Sequence, residues 1–243
     1  MSEIRPPAAR SAVDSNDSKG SNTTNDLEGS ALGVLLGSGV AIASALGIRV
    51  TMARSLPAEA LGALLLAMAV ASFLGMVASL GLRQASARRI AGLLAVGDPV
   101  GARTTARTAL SVAFVSGLAA ALLVAFGLRF VPPHLAGGMG AIPFLVRLGT
   151  APAALGLALG VTMWGISQGH GDTRGRALFR DTSGSLLRLT GVGLVALVAT
   201  SFGVGPAHFA VGWGMGSFLG EMCFVAYGAR QGWLAKPSSD SHA

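Results

Sequence analysis

The chain changes character near residue 30. Up to Gly29 it is polar and small, as in SNDSKGSNTTNDLEG over 15–29. Such a segment has too little apolar surface to offset the entropy of ordering, so a disordered tail is expected over 1–29. Beyond it, apolar residues run almost without interruption through six stretches, at 31–53, 60–82, 108–128, 141–166, 186–204 and 207–228. Each is close to the ~20 residues that a helix needs to cross ~30 Å of hydrocarbon. Alternation of the strand type is missing, and backbone in lipid must satisfy its own hydrogen bonds, so the pattern predicts helices and not a barrel. The expectation is an all-α integral membrane protein, a six-transmembrane-helix bundle over 30–229 with a short tail over 230–243. Pro143 and Pro152 are expected to bend the fourth helix. The apolar run starts too late and is too long for a cleaved signal peptide.

The connections carry the charge. Arg5, Arg10 and Lys19 precede the first stretch. Arg83, Arg88, Arg89, Arg103 and Arg107 follow the second, and Arg174, Arg176 and Arg180 follow the fourth, with Arg188 just inside the next helix. Arg230 and Lys236 close the chain, against only Arg54 and Arg129 on the opposite side. Positive charge gathers on cytoplasmic loops, so an even number of crossings with both termini in the cytoplasm is expected. Within the second connection, Gln84–Ala95 reads as a short amphipathic helix broken by Gly97-Asp98-Pro99, its arginines directed at anionic lipid headgroups.

Composition agrees. Hydrophobic residues make up 51% of the 243 residues, charged ones 12%, and the mean hydropathy is +0.61. Soluble domains carry about 25% charged residues, and half of that cannot cover a soluble globule. A soluble enzyme, a disordered chain and a disulfide scaffold are thereby excluded. The net charge of +7 is not a nucleic-acid signature: aromatics are 6%, and the cations are spaced between apolar stretches. The single cysteine, Cys223, sits in an apolar stretch and reads as a small packing residue. Gly212, Gly216 and Gly220 on the last helix, Gly33 and Gly37 on the first, and Gly156 and Gly160 on the fourth form small-residue ridges that let membrane helices approach closely.

Enzymatic constellations are weak. Gly165-Ile166-Ser167-Gln168-Gly169 matches G-x-S-x-G, but Ser167 ends the fourth helix while His208 starts the sixth, on opposite sides of the bilayer. A nucleophile–base pair needs ~3 Å. His134, His170, His208 and His242 have no metal-ligand spacing. Gly169–Gly175 lacks the spacing of a phosphate loop. No cofactor motif is present, and no catalysis is expected.

The segment RVTMARSLPAEALGALLLAMAVASFLGMVASLGLRQASARRIAG carries a resemblance. Ala53-Arg54 ends the first helix; Leu56, Glu59 and Gly62 open the second; Ser79-Leu80-Gly81-Leu82 closes it; and Arg88-Arg89-Ile90-Ala91 follows. This resembles the first helices of the oligosaccharide/polysaccharide flippases, relatives of the MATE multidrug exporters and lipid II flippases. Where that family has Leu-Gly-Pro, this chain has Leu56-Pro57-Ala58. The resemblance implies the N-terminal six-helix lobe of a two-lobe transporter, with a second lobe as partner, either another copy or a separate chain. It also implies alternating-access translocation of an anionic lipid-linked oligosaccharide across the plasma membrane. A MATE-like exporter of small molecules and a non-transporting assembly subunit are the alternatives.

An anionic substrate needs cations facing a water-filled cavity, and intramembrane charges are costly. Arg49 and Arg147, both in the outer half of the bundle by residue count, are the candidates, with Arg54 at the helix end. Two guanidinium groups at one depth suit a phosphate; each can instead snorkel to the outer headgroups. Glu221, in the inner half, is the candidate ion-coupling carboxylate, with hydrogen bonding inside the bundle as its other reading.

Overall fold

The computed structural model describes residues 14–79, 81–130, 142–172, 181–202 and 205–235, without the side chains of 14–34, 130 and 199–202. Its elements are α1 (Asp14–Ser55), α2 (Ala58–Ala78), α3 (Leu82–Ala95), α4 (Pro99–Leu122), α5 (Phe144–Gly169), α6 (Gly184–Phe202) and α7 (Pro206–Arg230). One π-helical turn and one 3-10 turn extend α4 to Phe130. The six apolar stretches thus appear as six long helices, and the amphipathic segment is the short α3. Among the described residues, Leu35–Ser55, Ala58–Ala95, Pro99–Gly127, Phe144–Gly169 and Pro206–Arg230 are long and apolar enough to cross a membrane.

Proline sets many of the helix starts. Pro57 and Pro143 occupy N-caps, and Pro99 and Pro206 lie in first turns, where a missing N–H costs nothing. Gly97 turns the chain at φ 77°, a conformation glycine adopts without strain, and the Asp98 carboxylate then accepts from the Gly101 N–H at 2.8 Å. This cap starts α4 nine residues before the expected 108. Arg103 and Arg107, expected in a loop, consequently lie on the helix. Pro143 caps α5 and does not bend it, and α5 continues as helix through Pro152. The backbone of α1 is helical from Asp14, although its apolar span begins at Leu35.

α5 is the central post. It packs against α7, α4, α2 and α3, and α6 and then α1 are added on the far side of α7. The glycine ridge of α7 carries the α6 contact, since a Cβ at Gly216 would stand 2.9 Å from Arg188 Cα. Backbones this close gain dispersion and weak hydrogen bonds where lipid removes any hydrophobic drive. Gly37 is buried, whereas the contacts of Gly33 lie outside the described residues. Large apolar side chains such as Ile42, Phe73, Val115 and Leu197 point outward, as lipid-facing residues do. Cys223 joins them: it is exposed on α7 and is not a packing residue.

Arg83, Arg103 and Arg107 lie at the end of the bundle where α5 and α7 finish, while Arg174, Arg176 and Arg180 lie outside the described residues. Arg83 of α3 covers the Trp164 ring of α5 at 3.2 Å. Residues 231–235, part of the expected tail, fold back there. Trp233 stacks on His170 at 5.0 Å, with Tyr227 edge-on to it at 5.7 Å. The Tyr227 hydroxyl donates to Asp172 at 2.7 Å. Burial, and secondarily the nearby Arg103 charge, lower the His170 pKa below its usual 6.5. The folded protein therefore binds that proton less readily than the unfolded chain. This contribution to stability is complete above pH 6.5 and is lost as pH falls through the lowered folded value. The thermal midpoint should drop between pH 7.5 and 5, and His170→Gln should flatten that slope; an unchanged slope would contradict the assignment.

Candidate functional site

α1 leans along α6 and hardly meets α2, which opens a cleft between α1 and α2. Its volume is about 250 Å³. The wall from α1 is one helical face, Ala41, Ser44, Ala45, Ile48 and Arg49, and that from α2 is Leu65, Met68, Ala69 and Ser72. Ser185 and Arg188 of α6 and Trp213 of α7 complete it. Ser72, Arg188 and Trp213 also line a narrower recess of about 50 Å³ that continues to Ser217 and Glu221. A polar floor thus lies beneath apolar walls, as in cavities that fix a charged group.

The floor holds an ion pair. Arg188 Nη2 lies 3.4 Å from Glu221 Oε1, with the arginine side chain 29% exposed and the glutamate side chain 2%. At that length the contact is more Coulombic than a tight hydrogen bond. Room for the carboxylate comes from Gly160 of α5, where a Cβ would stand 3.0 Å from Glu221 Cγ and overlap the carboxylate itself. Arg49 lines the cleft above this pair, and Leu189 Cδ1 touches α1 at the Gly47 position, 3.3 Å from a would-be Cβ. Among the described residues the cleft is thus lined by two guanidinium groups, and the recess below it by one carboxylate. The cleft is cationic.

The expected site residues separate. Arg49 and Glu221 reach the cleft and its recess. Arg54 is exposed in the last turn of α1, about 7.5 Å along the axis beyond Arg49. Arg147 is not brought to the cleft. It is 8% exposed on the first turns of α5, 5.5 Å from the Phe144 ring, and its Nε has no hydrogen-bond partner among the described residues. Hence Arg147 and Arg49 do not form the two-cation site expected from their depths; Arg188 supplies the second cation. By sequence Arg188 stands just inside its helix, next to the charges of the preceding connection. The signal that finds it is register: Arg188 stands 14 residues before the end of α6 and Glu221 15 residues after the start of α7, which places them at nearly the same level of an antiparallel hairpin.

Ser167 and His208 stay apart. The Ser167 hydroxyl donates to the Asp172 carbonyl oxygen. Gly149 packs on Ala210, so His208 stands near the opposite end of α5, roughly 25 Å from Ser167 by helical rise.

Two solved structures share this architecture. One is the outward-facing conformation of a multidrug resistance MATE family transporter of the MOP superfamily, with 20% identity, a TM-score of 0.63, and coverage of 82% of this chain and 43% of that one. The fold is that of one MATE-type lobe. The other is a MOP superfamily transporter from Pyrococcus furiosus, described as having a binding pocket of reverse polarity that suggests a different function. It is 18% identical, with a TM-score of 0.63 and coverage of 85% of this chain and 44% of that one. This chain spans less than half the length of either. No protein-family model and no curated protein sequence matches it.

Proposed function

We propose that this chain is one lobe of a plasma-membrane transporter, completed by a second six-helix lobe, that moves an anionic lipid-linked glycan outward by alternating access. The observation that carries the reading is the cationic cleft, lined by Arg49 and Arg188, with one carboxylate among the described residues of the adjoining recess. A pyrophosphate accepts hydrogen bonds from guanidinium groups in bidentate fashion, and weakly hydrated guanidinium gives these up to the anion readily. Arg54, farther along α1, is the next cation for the departing group. Arg147, off the cleft, has no part in this path. Glu221 is the coupling group: Arg188 cannot serve an anion and this carboxylate equally, so substrate binding and the carboxylate's choice of counter-ion are linked. The arginine-rich end faces the cytoplasm, where positive loops are retained.

Farnesyl pyrophosphate is a suitable probe. It should raise the thermal midpoint of the purified chain, by about 2.7 kcal/mol of stabilisation at one hundred times Kd. Arg49→Glu should weaken it by about tenfold or more, given the ~1.5–3 kcal/mol of a hydrogen bond to a charged group. Stabilisation by tetraphenylphosphonium and not by farnesyl pyrophosphate would replace this reading with export of cationic small molecules, the activity class suggested by the multidrug transporter of like fold.

A further inference from the structure

A second cavity lies on a different face of α7, away from the cleft. It is a groove of about 620 Å³ between α4 and α7, floored by α5. Leu110, Phe114 and Val115 of α4, Leu159 of α5, and Phe218 and Met222 of α7 line it. Phe114 and Val115 are among the exposed large apolar residues, so the groove opens outward on the lipid-facing surface. Water does not fill an apolar groove at that depth, and lipid chains do.

One end is charged. Arg107 lines the groove, and its Nε and Nη2 donate to the Leu234 carbonyl at 2.8 and 2.6 Å. These two bonds hold the guanidinium at the mouth. Its remaining nitrogen, Nη1, has no hydrogen-bond partner among the described residues. Arg103 lies one turn earlier on α4, and Arg230 in the last turn of α7. From Arg107 to Val115 the groove follows α4 for about 12 Å, from interface into hydrocarbon.

We infer that this groove binds one anionic glycerophospholipid from the leaflet at the arginine-rich end, its phosphate on Arg107 and an acyl chain along Phe114 and Phe218. Apolar shape alone accepts any phospholipid. The arginine at the mouth adds the preference, because cationic pockets between helices on this side of a membrane hold anionic headgroups.

Native mass spectrometry of the full chain, released from micelles containing phosphatidylglycerol and phosphatidylcholine, tests it. The wild type should retain one phosphatidylglycerol in preference to phosphatidylcholine by about fivefold, the worth of ~1 kcal/mol per cation. Arg107→Gln should bring that ratio near one while total bound lipid persists. Ser111→Trp, at an exposed groove position, should fill the groove and remove both lipids without loss of fold. Arg88→Gln, at an exposed position of α3, should leave the ratio unchanged. Equal retention of the two lipids by the wild type overturns the proposal. So does a loss of preference in Arg88→Gln as large as in Arg107→Gln, or unchanged lipid retention in Ser111→Trp. A dimer that Ser111→Trp splits would assign the groove to a second copy instead.

Discussion

Leucine in place of Gly156 should cost about 3 kcal/mol, the upper end of the overpacking range, because it separates the two most closely packed helices. A Cβ at Gly156 would stand 2.9 Å from Phe218 Cα and 3.5 Å from the Ser217 carbonyl oxygen. These are backbone neighbours with no flexible end to swing away, so α7 itself must move. Ser217 and Glu221 ride on α7, and the recess under the cleft would be displaced with them. Gly62 is the control, since a Cβ there meets nothing within 4 Å. Gly62→Leu should stay within about 0.5 kcal/mol of the parent, as surface substitutions do. Unfolding titrations in mixed micelles compare the two; equal losses would mean that α5 and α7 do not meet through glycine.

The second large effect belongs to the ion pair. Arg188→Met takes the Arg188 cation away from a carboxylate that is 1% exposed. Removing one partner of a buried pair costs about 3 kcal/mol, more than the pair itself contributes. Glu221→Gln should cost less, because Arg188 can turn its exposed part to a polar surface. The double replacement Arg188→Met/Glu221→Leu should recover most of the loss, since an apolar pair of similar volume is tolerated where a broken buried ion pair is not. A double-mutant cycle by thermal unfolding measures the coupling. Strict additivity would show that the two side chains act independently.

The elements were legible in the sequence because each rests on local chemistry. Long apolar runs have one solution in lipid, and Gly97-Asp98-Pro99 marks the end of α3; its second role as the cap of α4 was hidden, because the residues it starts are polar and precede the apolar run. The α7 ridge of Gly212, Gly216 and Gly220 was also visible, because spacing alone puts those residues on one face. The site was only half legible. Residue counts placed Arg49 and Arg147 at similar depth, but depth does not say which way a side chain faces, and Arg147 packs beside Phe144 instead. Arg188 was hidden for the opposite reason: near a helix start it looks like a loop charge until the hairpin register sets it beside Glu221. The open angle between α1 and α2, from which the cleft arises, follows from the way α1 leans on α6, a tertiary choice with no local signature.

A transporter lobe of this kind needs helices that cross a bilayer, with the arginine-rich connections on one side. In a Cys223→Ser background, single cysteines at Arg54 and Arg88 can be probed in intact cells with a membrane-impermeant maleimide. Labelling of Arg54→Cys from outside, with Arg88→Cys reactive only after the cells are opened, is the predicted result. Labelling of both from the same side would contradict the crossing of α2, and with it the transporter lobe.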